Sequence, residues 1–346
     1  MDAAKSITIV GGGLAGLTLG IGLRQRGVPV TIHEAGQCRR HRVCGEFISG
    51  RGQATLARLG LTGLLDEAGA ISARTVAFFT STRVAAPRPL PTPAICLSRD
   101  VLDAALAAAF RELGGYLIEG RRVAIDCGEG VVRATGRRAG ADEGGSRWFG
   151  LKIHARRIAL VADLEMHVSP LGYVGLCNIN GGEVNVCGLF RKGACVDAGS
   201  NNRRDLLRGQ PGSPLQRRLA AAEFLDDSFC AIAGLSLRPQ QAASRVEICV
   251  GDAITMIPPV TGNGMSMAFE SAELAIAPLA AWSRGEGSWL EARDQIASAC
   301  DAAFVRRLAW ARRLQTLVLT PSLQNPLLSL AARSDRFWRA AFERTR

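Results

Sequence analysis

The chain has 346 residues, 47% of them hydrophobic and 21% charged, a composition that suits a globular enzyme of two domains, or of one domain carrying an insertion. Its formal charge of +11 raises the question of an anionic partner, but the arginines are dispersed and no nucleic-acid-binding motif accompanies them, so the excess is read as solvated surface and a nucleic-acid partner is excluded. No apolar run reaches the ~18 residues of a membrane helix. The opening segment passes straight into a strand-like run, which predicts no export signal and a cytoplasmic protein. The ten cysteines form no CxxC pair and have no histidine pair at ligand spacing, so they are expected to be reduced thiols, mostly in the core, with no metal.

In chain order, Ser6–Val10 reads as a strand that ends in Gly11-Gly12-Gly13, Leu14–Arg26 as a helix closed by Gly27, and Val28–His33 as a second strand. This is a β-α-β unit of about 30 residues. Arg51–Gly69 is expected to be helical, Ile71–Ala86 to form strands, and Pro87–Pro93 to be a loop. Arg99–Leu113 reads as an amphipathic helix. Lys152–Arg191 alternates as a meander of about four strands, with turn signals at Ser169-Pro170-Leu171-Gly172 and Asn180-Gly181-Gly182. Asn201–Asp227 is expected to be polar helix, Val246–Val250 a buried strand, and the remainder two or three helices.

Gly11-Gly12-Gly13-Leu14-Ala15-Gly16 fits GxGxxG between a strand and a helix. Gly11 permits the turn, Gly13 lets the backbone approach a pyrophosphate, and Gly16 allows close helix–strand packing. The N–H groups of Leu14 and Ala15 open the helix toward negative charge. Glu34, at the end of the second strand, can accept hydrogen bonds from ribose hydroxyls. FAD and NAD fit this motif equally.

The run from Gly251 and Asp252 through Pro258, Pro259, Gly262, Asn263, Gly264 and Met265 resembles the FAD-dependent monooxygenase and geranylgeranyl reductase-like superfamily, of the p-hydroxybenzoate hydroxylase type. The resemblance implies FAD. It implies that Asp252 bonds the ribityl chain, that Pro258 and Pro259 flank the isoalloxazine, and that the N–H groups of Gly262–Met265 face the flavin pyrimidine edge, where a positive helix end stabilises reduced flavin. Ser98–Asp103 is similar to the superfamily's arginine-bearing helix and places Arg99 near the phosphate or ribityl region. Arg42-Val43-Cys44-Gly45-Glu46-Phe47 resembles the Cys-Gly-Glu segment of the reductase-like branch, which runs close to the flavin ring and brings Arg42 to the cofactor.

The implied architecture is α/β: a Rossmann-type FAD-binding domain with an inserted antiparallel-sheet substrate domain and C-terminal helices. Residues 1–70, 95–150 and 240–285 form the discontinuous FAD-binding domain, 71–94 and 151–239 the substrate domain, and 286–346 the C-terminal helices. Two departures stand out. The chain has no Asp-Gly pair, and Thr135-Gly136-Arg137 takes the equivalent strand end, which bears on docking of NADPH or NADH as reductant. Gly172–Cys177 lacks the tryptophan signature of prenyl reductases and halogenases.

Four side chains are candidates for chemistry. Cys44 is a redox or proton-donating thiol, or a small residue fitted to a tight turn. Glu46 is a general acid or base of raised pKa, or a hydrogen-bonding residue. Tyr173 offers a phenol to substrate or fills the core, and Pro259 lies against the flavin. The four histidines, His33, His41, His154 and His167, are scattered, and none has a nucleophile or metal partner. The basic, amphipathic run Leu327–Arg346 either touches a membrane or packs on the substrate domain. The leading expectation is a monooxygenase that hydroxylates an aromatic or polyketide-like small molecule through a flavin C4a-hydroperoxide. The alternatives are a reductase or dehydrogenase acting on a carbon–carbon bond, and a flavin-binding module without turnover.

Overall fold

A computed structural model describes residues 4–124, 128–137, 148–192 and 202–345; Cys127, Cys195 and Asn201 lie outside them. The β-branched segments Ile7–Val10 (β1) and Val30–His33 (β2) pair in parallel, Ile7 opposite Val30. Their crossover helix α1 (Leu14–Arg24), apolar on every side but for Thr18 and the terminal Arg24, is buried from Leu14 through Leu23. Tyr116–Ile118 (β6) flanks β2. Val131–Arg133 (β7) and Ile248–Cys249 (β13) complete a five-stranded parallel sheet of order β13-β7-β1-β2-β6.

The second sheet has eight strands in the order β12-β8-β11-β10-β9-β4-β5-β3. These are Glu223–Leu235, Trp148–Arg156, Glu183–Arg191, Gly172–Ile179, Leu164–Ser169, Ile71–Phe79, Arg88–Cys96 and Phe47–Ile48. It is antiparallel except where β4 runs parallel to β9. The meander expected over Lys152–Arg191 is β8 to β11. Pro87–Pro93, expected as a loop, runs into β5 from Arg88 onward. There β3 covers only Ile95 and Cys96, so the prolines sit beside an open flank where no N–H is needed. The helix expected over Asn201–Asp227 is also not formed. The segment makes a 3-10 turn at Arg203–Arg208 and a short helix, and its last residues enter β12, where Phe224 and Leu225 gain cross-strand partners on β8.

Among the described residues the other helices are α2 (Arg51–Arg58), α3 (Thr62–Glu67), α4 (Arg99–Glu112), α5 (Pro214–Arg218), α6 (Gly264–Ser283), α7 (Trp289–Leu319), α8 (Pro321–Arg333) and α9 (Asp335–Arg344). Four of them finish the chain, rather than two or three. A capping box of Ser288 and Glu291 starts α7. Its first half, including Trp289, Ile296 and Phe304, packs into the core around α1, while its last residues reach the cluster around Tyr173 and Leu189 on the second sheet. No helix among the described residues is long and apolar enough to cross a membrane.

Candidate active site

The glycine turn after β1 shows three different steric demands. Gly11 has φ +116°, and a Cβ there would lie 2.3 Å from the Ala134 carbonyl oxygen. A Cβ on Gly16 would lie 1.9 Å from the Gly11 oxygen. At Gly13 a Cβ meets nothing within 4 Å, and this residue opens onto a cavity together with Leu14 and Ala15. No side chain caps α1, so its first N–H groups face that space. Glu34 is buried; its carboxylate accepts from the Gly12 N–H at 2.7 Å, the Gly36 N–H at 3.1 Å and Arg40 at 3.0 Å.

Two arginines converge on the fully buried Asp103. Arg99 meets it bidentately at 3.0 and 2.9 Å, and Arg42 Nε at 3.0 Å. Burial opposes the Arg99 charge, but Asp103 and Cys44 together outweigh it and hold the guanidinium protonated more firmly than usual. Among the described residues the Arg42 Nη2 makes no hydrogen bond, and it stands 3.8 Å from the Glu34 carboxylate. Asp252 lies 3.6 Å from Arg137; burial raises its pKa despite Arg137 and Arg99.

The C-terminal glycine run frames the same space. Gly251 has φ +64°, and its Cβ would press on Ala15 at 2.8 Å. Gly262 is left-handed at φ +66°, and a Cβ there would lie 2.1 Å from Phe47. Pro259, Gly262, Gly264 and Met265 line the cavity. The Asn263 side chain does not; it is buried and donates to the Thr345 carbonyl, which ties the start of α6 to the end of α9.

The cavity has a volume of about 1260 Å³ and is continuous from Gly13 and Glu34 to the inner face of the second sheet. Cross-strand rows build that face. One runs from Cys230 past Lys152 to Cys187, Gly175, Met166 and Phe78, and the next from Ile232 past Gly150 to Leu189, Tyr173 and Val168. Four thiols, Cys44, Cys177, Cys187 and Cys230, line the wall. Burial pushes the Cys230 thiol up to about 11 and raises Cys187 further. Burial likewise keeps Tyr173 protonated. Among the described residues no cluster of His, Cys, Asp or Glu can hold a metal. The C-terminal helices roof the cavity with Phe337, Trp338 and Phe342. Trp338 stands edge-on to Phe78 at 5.5 Å and donates to the Pro89 carbonyl.

Glu46 departs most from its sequence reading. It is fully buried, and its backbone is left-handed at φ +58°, which is strained for a residue with a side chain. Lys152 Nζ at 3.0 Å, His154 Nε2 at 2.6 Å and the Arg99 N–H at 2.9 Å hold its carboxylate. Burial would raise its pKa, but the His154 hydrogen bond and the Lys152 charge outweigh burial and lower it. A general acid of raised pKa is therefore not what this site contains; Glu46 is an ionised anchor. The network continues from Lys152 to His41 at 3.2 Å and from His154 to Glu183 at 3.3 Å. With Asn185 donating to the Cys44 carbonyl and Cys177 to that of Gly45, it pins the Cys44–Glu46 loop to the second sheet.

The structure thus brings Gly11, Gly13, Leu14, Ala15, Glu34, Arg42, Cys44, Glu46, Arg99, Tyr173, Gly251, Asp252, Pro259, Gly262, Gly264 and Met265 to one cavity; Gly16 and Asn263 stand behind it. Sequence reading missed Asp103, Lys152 and His154. Their signals were present: Asp103 is four residues from Arg99 on a helix, and Lys152 and His154 alternate with Leu151, Ile153 and Ala155 on a strand.

No family model and no curated protein matches the chain. Solved structures do. PqsL of Pseudomonas aeruginosa, an FAD-dependent monooxygenase solved in complex with 2-aminobenzoylacetate, aligns at 17% identity and TM-score 0.71 over 93% of this chain and 98% of its own. The flavin-dependent brominase Bmp2 aligns at 18% and 0.69 over 99% and 98%. A flavoprotein/dehydrogenase from Cytophaga hutchinsonii aligns at 14% and 0.74 over 99% and 91%. The chain shares its fold with FAD-dependent monooxygenases and flavin-dependent halogenases.

Proposed function

We propose that the chain is an FAD-dependent monooxygenase that hydroxylates an aromatic or polyketide-like small molecule, with NADPH or NADH as the electron source. One observation carries the reading. The glycine cradle, the Asp252–Met265 run and an apolar sheet face share a single cavity of about 1260 Å³, above the roughly 300–1,000 Å³ of a site for one small ligand. The fold shared with PqsL supports it.

The residues fit FAD. The open Cβ position at Gly13 and the uncapped start of α1 suit a pyrophosphate, the unbonded Arg42 Nη2 supplies a further donor, and Glu34 suits a ribose. When bound, FAD supplies two-electron redox chemistry and oxygen activation. The N–H groups at the start of α6 and the Asp252 carboxylate would hold its flavin end. The roof of Phe337, Trp338 and Phe342 excludes water from the reacting face. The protonated Tyr173 phenol orients substrate.

Reduction of a carbon–carbon double bond is the second reading, and it draws on Cys44, whose thiol lies on the cavity wall beside Arg99. Stopped-flow mixing of the anaerobically reduced protein with oxygen tests the choice. A spectrally distinct transient before oxidised flavin returns is expected; single-phase, featureless reoxidation would place the reductase first.

A further inference from the structure

The cationic side chains that line the cavity are confined to one half. Every arginine on its wall, from Arg40 and Arg42 to Arg133 and Arg137, belongs to the parallel sheet, its loops or the start of α4. Among the described residues, the second sheet and the C-terminal helices line the other half without a single Lys, Arg or His; Lys152, in the row beside Cys187, is fully buried against Glu46 and His41. Arg88 does not line it; its guanidinium stacks on Trp338 at 5.3 Å and pairs with Asp335.

The polar groups of this distal half are mostly committed. Glu165 is held by Arg218 at 3.0 Å, His167 at 2.9 Å and the Val161 N–H at 2.7 Å. Thr80 donates to Asn325 at 2.8 Å, Gln324 to the Ser169 carbonyl at 3.3 Å, and Thr345 to the Ala341 carbonyl at 3.0 Å. Tyr173 differs. Its ring is buried in the cluster with Val168 and Leu189, and its phenol makes no hydrogen bond among the described residues. Around it the wall is Val168, Leu189, Met166, Ile232 and Leu235. An anion placed there would lose its hydration with no cation to replace it.

We propose that the distal half receives an uncharged, largely apolar molecule that carries one hydrogen-bond acceptor and is oriented by the Tyr173 phenol. The inference rests on the function proposed above, because it assigns the arginine-lined half to the flavin. It narrows the substrate class: carboxylates and phosphates are rejected, and neutral ketones, quinones or phenols are accepted. Selection operates by the missing cation rather than by a clash.

Two near-isosteric probes test it, neutral 2-acetylnaphthalene and anionic 2-naphthoate, each titrated into the FAD-loaded protein with flavin absorption and tryptophan fluorescence as readouts. The naphthoate is expected to bind at least about a hundredfold more weakly, the consequence of burying an unpaired carboxylate. Tyr173→Phe is expected to weaken 2-acetylnaphthalene by roughly two- to tenfold, one hydrogen bond's worth, with flavin content and melting temperature unchanged. Equal or tighter binding of the naphthoate overturns the proposal, as does failure of the neutral probe to bind. Unchanged affinity in Tyr173→Phe removes Tyr173 from it. A protein that takes up no FAD refutes the function proposed above before either probe is added, whereas an FAD-loaded protein that prefers the naphthoate refutes this inference alone.

Discussion

Gly13→Val should separate cofactor binding from folding. The backbone at Gly13 is extended, with φ −89° and ψ −172°, which valine adopts readily, and a Cβ there meets no atom within 4 Å. The folded protein therefore tolerates the change, with stability within about 0.5 kcal/mol of the parent. The added methyls stand in front of the N–H groups that begin α1. Losing two charge-assisted hydrogen bonds, at about 1.5–3 kcal/mol each, lowers FAD affinity by about a hundredfold or more. Gly16→Ala is the opposite control. Its Cβ would sit 1.9 Å from the Gly11 carbonyl oxygen, so helix and strand must move apart, at a cost of about 1–3 kcal/mol or more. Thermal unfolding of the apoproteins and FAD titration read both effects. A valine variant that binds FAD normally, or an alanine variant as stable as the parent, refutes the assignment of these glycines.

Three further outcomes are expected. Glu46→Gln leaves Lys152 buried without its counter-charge and should cost about 3–5 kcal/mol in denaturant unfolding. Because the Glu46 carboxyl is held below its ordinary value of 4.5, its stabilisation is complete above pH 4.5 and is lost as pH falls through the lowered folded value. Acid should therefore weaken the parent more than Glu46→Gln; identical acid profiles would contradict the network. Asp252→Ala should keep its circular dichroism spectrum and weaken FAD binding by roughly five- to a hundredfold, since one hydrogen-bonding carboxylate is removed. Cys44→Ser should retain FAD and lose about tenfold or less in turnover, ~1.4 kcal/mol of transition-state stabilisation. A loss of several thousand-fold at full FAD occupancy would put the reductase reading first.

The sequence by itself determined the β1-α1-β2 unit and the glycine cradle, because the determinants are contiguous. Steric freedom at Gly11 and Gly16, helix-start N–H groups, and an acid at the end of the next strand all fall within 24 residues of chain. The Gly251–Met265 run was legible for the same reason. Its side chains were less so. The Asn263 side chain bonds the Thr345 carbonyl, a partner 82 residues away, which leaves only its backbone N–H for the cofactor. Tertiary structure alone decided the charge state of Glu46. A glutamate beside a cofactor loop is a general acid if its surroundings are apolar and an anchor if they are cationic. Lys152 and His154, more than 100 residues distant, come to it only when β8 takes its place in the second sheet. It also decided that four scattered cysteines share one wall and that an amphipathic C-terminal segment turns Trp338 and Phe342 inward over the cavity. Local pattern specifies which face of an element is apolar; what that face covers depends on sheet order and helix packing, which no single stretch of chain encodes.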